Sequence, residues 1–134
     1  VGAYRNDRRI RVSERRQIDG AVVGNFEVNN SEPFAHTVRS AVAQQTNDVR
    51  VLGSIALDLA YVAAGWLDGF WSLSATPADC ASGALLVQEA GGFSSGLSGT
   101  GNPTKGNGIL AANGHLHATL GAILREARAP TLVR

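Results

Sequence analysis

The chain has 134 residues, which is room for one domain, and its 44% hydrophobic and 17% charged residues are typical of a globular protein. A net charge of +1 gives no overall field for nucleic acid or membranes, and no apolar run approaches the about 18 residues of a membrane span. The single cysteine, Cys80, excludes an internal disulfide and is typical of a reducing compartment, so we expect a soluble, cytoplasmic protein.

A two-stranded hairpin, a third strand and a helix are predicted for the first third of the chain. Residues 3–5 and 9–13 form a predicted hairpin, because the Asn6-Asp7 pair between them tolerates tight-turn geometry. The apolar run from Gly20 to Gly24 is typical of a buried strand. A helix is predicted to open at Pro33 and to continue to about Gln45.

Strands and helices alternate through the middle of the chain. A strand over 49–52 precedes the helix predicted for 55–64, which is apolar nearly all round and must therefore be packed on most of its circumference. Another strand is predicted for 66–73. A helix is predicted to begin at Asp79, continue to Ala90 and stop at the glycine pair 91–92.

The last third contains one long polar stretch. Residues 94–108 are rich in Gly, Ser, Thr, Asn and Pro and are interpreted as a loop. A final strand is predicted for 109–112 and a final helix for 115–128. Strands that alternate with helices indicate a layered α/β sheet.

Two motifs point to a known family. One comprises residues 50–65, followed by Leu67-Asp68-Gly69-Phe70-Trp71, and the other comprises residues 77–92, which end in Glu-Ala-Gly-Gly. Together they resemble the inositol monophosphatase family, whose second signature is roughly Trp-Asp-x-Ala-x-Gly continuing to Glu-Ala-Gly-Gly. The resemblance implies an α/β fold: the C-terminal portion of the layered α-β-α-β-α sugar-phosphatase type, with a mixed, largely parallel sheet.

The resemblance also implies that residues 1–134 are the C-terminal half of a longer catalytic unit. In the family the first half carries an acidic metal site with an Asp-Pro-Ile-Asp-Gly-Thr motif, and nothing in this chain matches it. Ile18-Asp19-Gly20 looks like a fragment of that motif. Arg16 and Ala21 replace its first Asp and its Thr, however, so a surface turn is the better interpretation.

Asp79 is the candidate catalytic residue and metal ligand. It matches the Asp that binds a catalytic metal in the family, and Mg²⁺, the implied cofactor, prefers hard carboxylate oxygens. The spacing alone instead favours a helix cap that accepts backbone N–H bonds, and one side chain can do both. Ala78 replaces the signature Trp, which removes a packing surface beside the ligand.

Four further positions are candidate substrate contacts by resemblance. Gly53, Ser54 and Ile55 match the family's substrate-facing turn at a helix N-terminus, although an ordinary strand-to-helix turn explains them equally well. Ser72 stands where inositol-selective members place a Glu that holds a substrate hydroxyl, and Ser is shorter and uncharged. The resemblance implies an Mg²⁺-dependent phosphomonoesterase that hydrolyses a small sugar or polyol phosphate by metal-activated water. The alternative is a non-catalytic remnant or interaction module of the same fold.

Several other residues have plainer explanations. Glu89 lies ten residues into its helix, far from Asp79, and a structural role is expected. His115 and His117 are two residues apart and do not face each other on a helix, so a solvated helix start is preferred over a metal site. Cys80 has no catalytic constellation around it and is interpreted as a small buried residue.

Two features of the sequence are relevant to its binding partners: an arginine-rich stretch and the apolar helices. The arginines could contact nucleic acid, but they alternate with Ile10 and Val12, so a solvated face is preferred and no nucleic acid or membrane partner is expected. They are Arg5, Arg8, Arg9, Arg11, Arg15 and Arg16. In the family this half packs on a first half and the protein forms a dimer. We therefore expect a homo-oligomer or association with the missing N-terminal half.

Overall fold

The computed structural model describes residues 2–28, 32–97, 101–102 and 107–129. The strands within these residues are β1 (Ala3–Arg5), β2 (Arg8–Ile10), β3 (Val22–Asn25), β4 (Asp48–Arg50), β5 (Gly69–Ser72), β6 (Phe93–Ser95) and β7 (Ile109–Ala112). The helices are α1 (Ala35–Gln45), α2 (Ile55–Ala63), α3 (Pro77–Glu89) and α4 (His117–Arg128). No helix among the described residues is both long and apolar enough to cross a membrane.

The N-terminal hairpin is confirmed. β1 and β2 pair antiparallel, with Ala3 opposite Ile10. Asn6 and Asp7 have φ angles of 50° and 64°, the left-handed pair that a two-residue hairpin turn requires. The second strand ends at Ile10 rather than at residue 13, because the chain then leaves the hairpin and the N–H of Val12 donates to the carbonyl of Ala90 over 3.1 Å.

The remaining five strands form one sheet in the order β4-β3-β5-β7-β6. β3 is parallel to β4 and to β5, whereas β7 is antiparallel to β5 and to β6. The expected α/β fold with a mixed sheet is confirmed, and its parallel and antiparallel pairings are equal in number. β6 corrects the prediction of a loop over 94–108, of which residues 98–100 and 103–106 lie outside the described residues.

Helices cover both faces of this sheet. α1 and α4 bury their apolar side chains on one face, and α2 and α3 bury theirs on the other. Successive strand residues point to opposite faces, so Phe70 and Ile109 join the α2–α3 side while Trp71 and Leu110 join the α1–α4 side. β5 and β7 are buried throughout, which explains why their sequences do not alternate with polar residues.

Two helices begin at other residues than predicted. α3 begins at Pro77 rather than Asp79, since proline is well suited to the first helical position. α4 begins at His117 rather than residue 115, because the side chain of Asn113 first accepts the N–H groups of His115 and Leu116, each over 2.9 Å. The remaining helices and strands lie within a few residues of their predicted ranges.

Candidate functional site

Three loops leave the sheet at one edge, which we call the carboxyl edge. β3, β4 and β5 are parallel, so their carboxyl ends lie together, and from them the chain continues to α1, α2 and α3. α1 and α3 cover opposite faces, so the chain segments leaving the neighbouring strands β3 and β5 diverge. Ligands of open α/β sheets bind at such a divergence. The carboxyl edge between β3 and β5 is therefore the candidate site.

Asp79 lies at the start of α3, next to this edge. Thr76 is the helix N-cap, and the two side chains form a capping box: Asp79 Oδ2 accepts the Thr76 N–H over 2.9 Å and the Thr76 hydroxyl over 2.7 Å. The Thr76 N–H and then its hydroxyl hold the pKa of the Asp79 carboxyl below its ordinary value. The carboxylate is exposed, and Oδ1 makes no hydrogen bond to any described residue.

This arrangement fits one ligand of an Mg²⁺ ion. An ionised carboxylate with one oxygen outside its cap is a suitable donor, since Mg²⁺ commonly binds one or two carboxylates and keeps several waters. Within the described ranges, no three His, Cys, Asp or Glu side chains come together in a way that could hold a metal ion. Asp79 is thus a single candidate ligand, and its role as ligand stays a prediction.

Ser72, at the end of β5, is fully buried. Its hydroxyl donates to Glu27 Oε1 over 3.2 Å and accepts the N–H of Ala75 over 3.1 Å. The side chain predicted to face substrate is therefore engaged within the protein, beside a carboxylate from the segment that follows β3.

The turn formed by Gly53, Ser54 and Ile55 leads from β4 into α2. Gly53 is exposed at a φ of 90°, a conformation that favours glycine, and a Cβ added there would meet nothing within 4 Å. Ser54 is the N-cap of α2 and accepts the N–H of Leu57 over 3.2 Å, while Ile55 is buried. The turn thus has the ordinary capping role, and its substrate-facing role stays a prediction.

Glu27 and Asn25 are polar residues of the carboxyl edge that sequence reasoning missed. Asn25 is buried at the end of β3 and donates to the carbonyl of Trp71 over 2.9 Å. Glu27, two residues later, accepts hydrogen bonds from residues at the end of β5. The signal available in the sequence was the change from apolar to polar residues directly after a buried strand.

The other singled-out residues lie away from Asp79. Glu89 is ten residues along α3, about 15 Å at the helical rise, so it cannot share a metal with Asp79. His115 is exposed, whereas His117 is half-buried, with its Nε2 2.8 Å from the Ser95 hydroxyl, so only the first fits the expected solvated helix start. Cys80 is buried as expected, and burial raises the pKa of its thiol to about 11.

The arginine-rich stretch is exposed, as predicted. The guanidinium of Arg5 lies 5.0 Å from the centre of the Trp66 ring. Arg15 pairs with Asp68, their Nε and Oδ2 atoms being 3.0 Å apart. Asp68 also accepts the Ser13 hydroxyl, over 2.6 Å, so it ties the segment after the hairpin to the sheet. These contacts agree with a solvated face that is attached to the fold by its side chains.

Comparison with known proteins places the chain in a family. It matches the model of the inositol monophosphatase family over residues 1–129. It is 37% identical over 129 residues to an inositol-1-monophosphatase of Rhizobium meliloti (strain 1021), covering 93% of this chain and 48% of that protein. It is 38% identical over 139 aligned residues to the Nus factor SuhB of Pseudomonas aeruginosa, covering 99% of this chain and 51% of that protein.

A solved structure agrees with this result. The inositol monophosphatase of Anabaena (Nostoc) sp. PCC 7120 matches the fold with a TM-score of 0.86 and 34% identity, over 94% of this chain and 53% of that one. The chain spans about half the length of the curated relatives it matches. Because the family model and the structural match both cover nearly all of it, this chain belongs to the inositol monophosphatase family.

Proposed function

We propose that this chain supplies the C-terminal half of an Mg²⁺-dependent phosphomonoesterase site that hydrolyses a small sugar or polyol phosphate. The observation that carries the proposal is Asp79, which by resemblance matches the family's signature Asp and has an ionised, exposed carboxylate with one oxygen outside the helix cap. A relative 37% identical to this chain is named inositol-1-monophosphatase. The single cysteine is consistent with an enzyme of the cytoplasm.

Each residue has a defined part in this proposal. Asp79 holds a metal ion, which when bound would activate a water molecule and stabilise the leaving oxygen of the phosphomonoester. The N-terminus of α2 at Gly53 and Ser54 presents backbone N–H groups to the substrate. Ser72, at the end of β5, lies on the side that receives the alcohol. The other metal ligands come from the first half of the catalytic unit.

A chimera tests this function. The first half of the Rhizobium meliloti relative, joined to this chain, restores the length of a whole family member. We expect Mg²⁺-dependent phosphate release from a panel of sugar and polyol phosphates, and none from the 134-residue chain alone. Asp79→Asn should lower activity at least roughly 100-fold, the upper end of the cost of losing an outer-shell partner of a metal. The melting temperature should fall only slightly, because the side-chain oxygen of Asn can still accept the N–H and the hydroxyl of Thr76, and only the negative charge in the first turn of α3 is lost.

The matched control is Asp19→Asn, which removes the same charge from an exposed turn and should leave phosphate release intact. A chimera that melts cooperatively but releases no phosphate would contradict the proposed function. So would an Asp79→Asn chimera that retains full activity, since the metal would then be held without this carboxylate.

A second function, a non-catalytic interaction module, is favoured by a different observation. Relatives of similar identity are named Nus factor SuhB, among them proteins of Pseudomonas aeruginosa and Escherichia coli (strain K12). Ala78 in place of the signature Trp and the exposed arginines of the hairpin agree with a surface role. A folded, inactive chimera is the result that this second function predicts.

A further inference from the structure

We propose that Glu27 is a positioning residue, which fixes the loop between β5 and α3 and thereby sets the place of Asp79. This inference rests on the proposed function, in which Asp79 carries the metal. Glu27 follows the end of β3, and β3 is parallel to β5, so its side chain lies where β5 turns towards α3. The loop, residues 73–76, is four residues long and connects a buried strand to the helix that carries Asp79.

The Glu27 carboxylate is surrounded by donors from this loop. Oε1 accepts the Ser72 hydroxyl over 3.2 Å, the N–H of Ser74 over 2.9 Å and the Ser74 hydroxyl over 2.6 Å. The N–H of Leu73 lies between both oxygens, 2.9 Å from Oε1 and 3.0 Å from Oε2. Oε2 also accepts the side-chain amide of Asn25 over 3.0 Å. Glu27 thus binds three consecutive residues of the chain.

These contacts give the carboxylate a structural role. Five donor groups meet its two oxygens, which offer about four lone-pair sites. A carboxylate so fully used has no acceptor site left for a substrate hydroxyl. Hydrogen bonds to a charged acceptor are also roughly twice as strong as neutral ones, so the arrangement holds the loop firmly.

The hydrogen bonds continue from Glu27 to Asp79 without a gap. The N–H groups of Leu73 and Ser74 donate to Glu27. The next N–H, of Ala75, donates to the Ser72 hydroxyl, and the next, of Thr76, donates to Asp79 Oδ2. Four successive backbone donors are therefore satisfied by side chains. These bonds hold the backbone of the whole loop, which leads directly into α3. A shift of the Glu27 side chain therefore moves the start of α3.

Asn25 and Arg39 support the Glu27 carboxylate on the side away from the loop. The Asn25 amide group donates to Glu27 Oε2, and its carbonyl oxygen accepts Arg39 Nη2 over 2.7 Å and Nε over 3.3 Å. Arg39 lies on α1, and it fixes the Asn25 side chain with its NH₂ group towards the carboxylate. The hydrogen bonds of Arg39, Asn25 and Glu27 therefore connect α1, β3 and the loop before α3.

Glu27→Gln tests the proposal in the 134-residue chain. Both Glu27 oxygens accept hydrogen bonds from N–H groups, and an N–H group cannot become an acceptor. In either orientation, the NH₂ group of a glutamine would therefore face another donor. We expect backbone amides in a peptide spanning 72–79 to exchange with deuterium roughly tenfold faster or more, as for the loss of one hydrogen bond to a charged group. A peptide spanning β7 should exchange at the original rate, which shows that the sheet is intact.

In the chimera, Glu27→Gln should raise the Mg²⁺ concentration for half-maximal activity by about 10-fold or more, while KM for the phosphate ester stays the same. Glu126→Gln, on an exposed position of α4, is the matched control and should change neither measurement. If Glu27→Gln disrupts the sheet, Ser74→Ala removes one donor to Oε1 and should give smaller changes in the same direction.

Unchanged exchange over 72–79 would overturn the proposal, and so would faster exchange with an unchanged Mg²⁺ requirement. An inactive parent chimera would count against the proposed function instead. In that case the exchange measurement decides the role of Glu27 by itself, because it depends on neither metal nor substrate.

Discussion

A buried carboxyl group on α2, Asp58, lies in apolar surroundings. The side chain is fully buried, and neither oxygen has a hydrogen-bond partner among the described residues. Oδ1 lies 3.3 Å from the place that a Cβ on Gly24 would occupy, so the carboxyl group points at β3, beside Leu67 and Phe70. Burial raises the pKa of Asp58 from the ordinary 3.8 to about 6.

This pKa predicts a dependence of stability on pH. Below pH 3.8 the Asp58 carboxyl group is protonated in both the folded and the unfolded chain, so its ionisation does not lower the stability there. As the pH rises from 3.8 to about 6 the unfolded chain releases the proton while the folded chain keeps it, so stability falls. The loss amounts to about 3 kcal/mol above pH 6, at about 1.4 kcal/mol for each pKa unit. Asp58→Asn removes the titrating group.

The expected result is that Asp58→Asn gains stability relative to the parent by about 2 kcal/mol between pH 4 and pH 7, because the unfolded chain has already released part of its proton at pH 4. Urea unfolding at the two pH values measures this difference. Asp19→Asn, on an exposed side chain, controls for the loss of one negative charge. An Asp58→Asn variant whose stability relative to the parent is the same at both pH values would show that Asp58 has a partner in solution.

Some residues of the candidate site could be recognised from the sequence alone, and others could not. Asp79 could be singled out from the sequence because it stands inside a motif with fixed spacing, and its capping partner Thr76 is only three residues away. Glu27 could not be found in this way, because it bonds to residues 45 to 47 positions further along the chain. Its role depends on the parallel pairing of β3 with β5, which local patterns do not determine. The negative charge absent at Ser72 is thus present beside it, but it comes from the segment that follows β3.

At the scale of elements, α2 and α3 pack closely at Gly83. A Cβ added to Gly83 would lie 2.8 Å from Leu59 Cβ and 3.2 Å from Leu59 Cγ. The Leu59 Cβ atom is fixed to the backbone of α2 and cannot turn away. Gly83, the glycine of the family signature, therefore allows α3 to approach α2 closely. This contact helps to place α3, the helix that carries Asp79.

Gly83→Ala should destabilise the fold. Overpacking costs about 1–3 kcal/mol, whereas the better helix propensity of alanine returns at most about 1 kcal/mol. We expect a net loss of about 1–2 kcal/mol in the free energy of unfolding, measured by urea denaturation. Ser82→Ala, on the exposed side of α3, is the control and should be neutral or slightly stabilising. A Gly83→Ala variant as stable as the parent would mean that α2 moves aside freely.

Elements with a strong pattern were predicted well, and the exception has a physical reason. β5 and β7 are buried on both faces, so their apolar runs were clear in the sequence. β6 was interpreted as part of a loop because Phe93-Ser94-Ser95 is short and polar. Its strand conformation comes from pairing with β7 at the end of the sheet, which is a tertiary contact.

At the scale of the whole molecule, apolar surface remains uncovered. α2 was expected to need packing on most of its circumference, and the structure covers much of it: Ile55, Leu59 and Val62 are buried. Leu57 on α2 is nonetheless 42% exposed, and Leu85 on α3 is 58% exposed. The chain spans about half the length of its curated relatives, and we expect further protein to pack on this outer side of the two helices.

We predict that the isolated chain self-associates through this outer side of α2 and α3. Fully burying a leucine side chain contributes roughly 1.5–3 kcal/mol, so covering Leu57 and Leu85 is favourable for a marginally stable domain. Light scattering at micromolar concentration should give a mass above that of the monomer, and Leu57→Lys with Leu85→Lys should return the mass to 14.0 kDa. Thr119→Lys, on the exposed face of α4, adds a charge on the opposite side of the sheet and should leave the association intact. A parent chain that stays monomeric and binds no hydrophobic dye would contradict the prediction, and would show that the exposed leucines are tolerated by a domain that is stable alone.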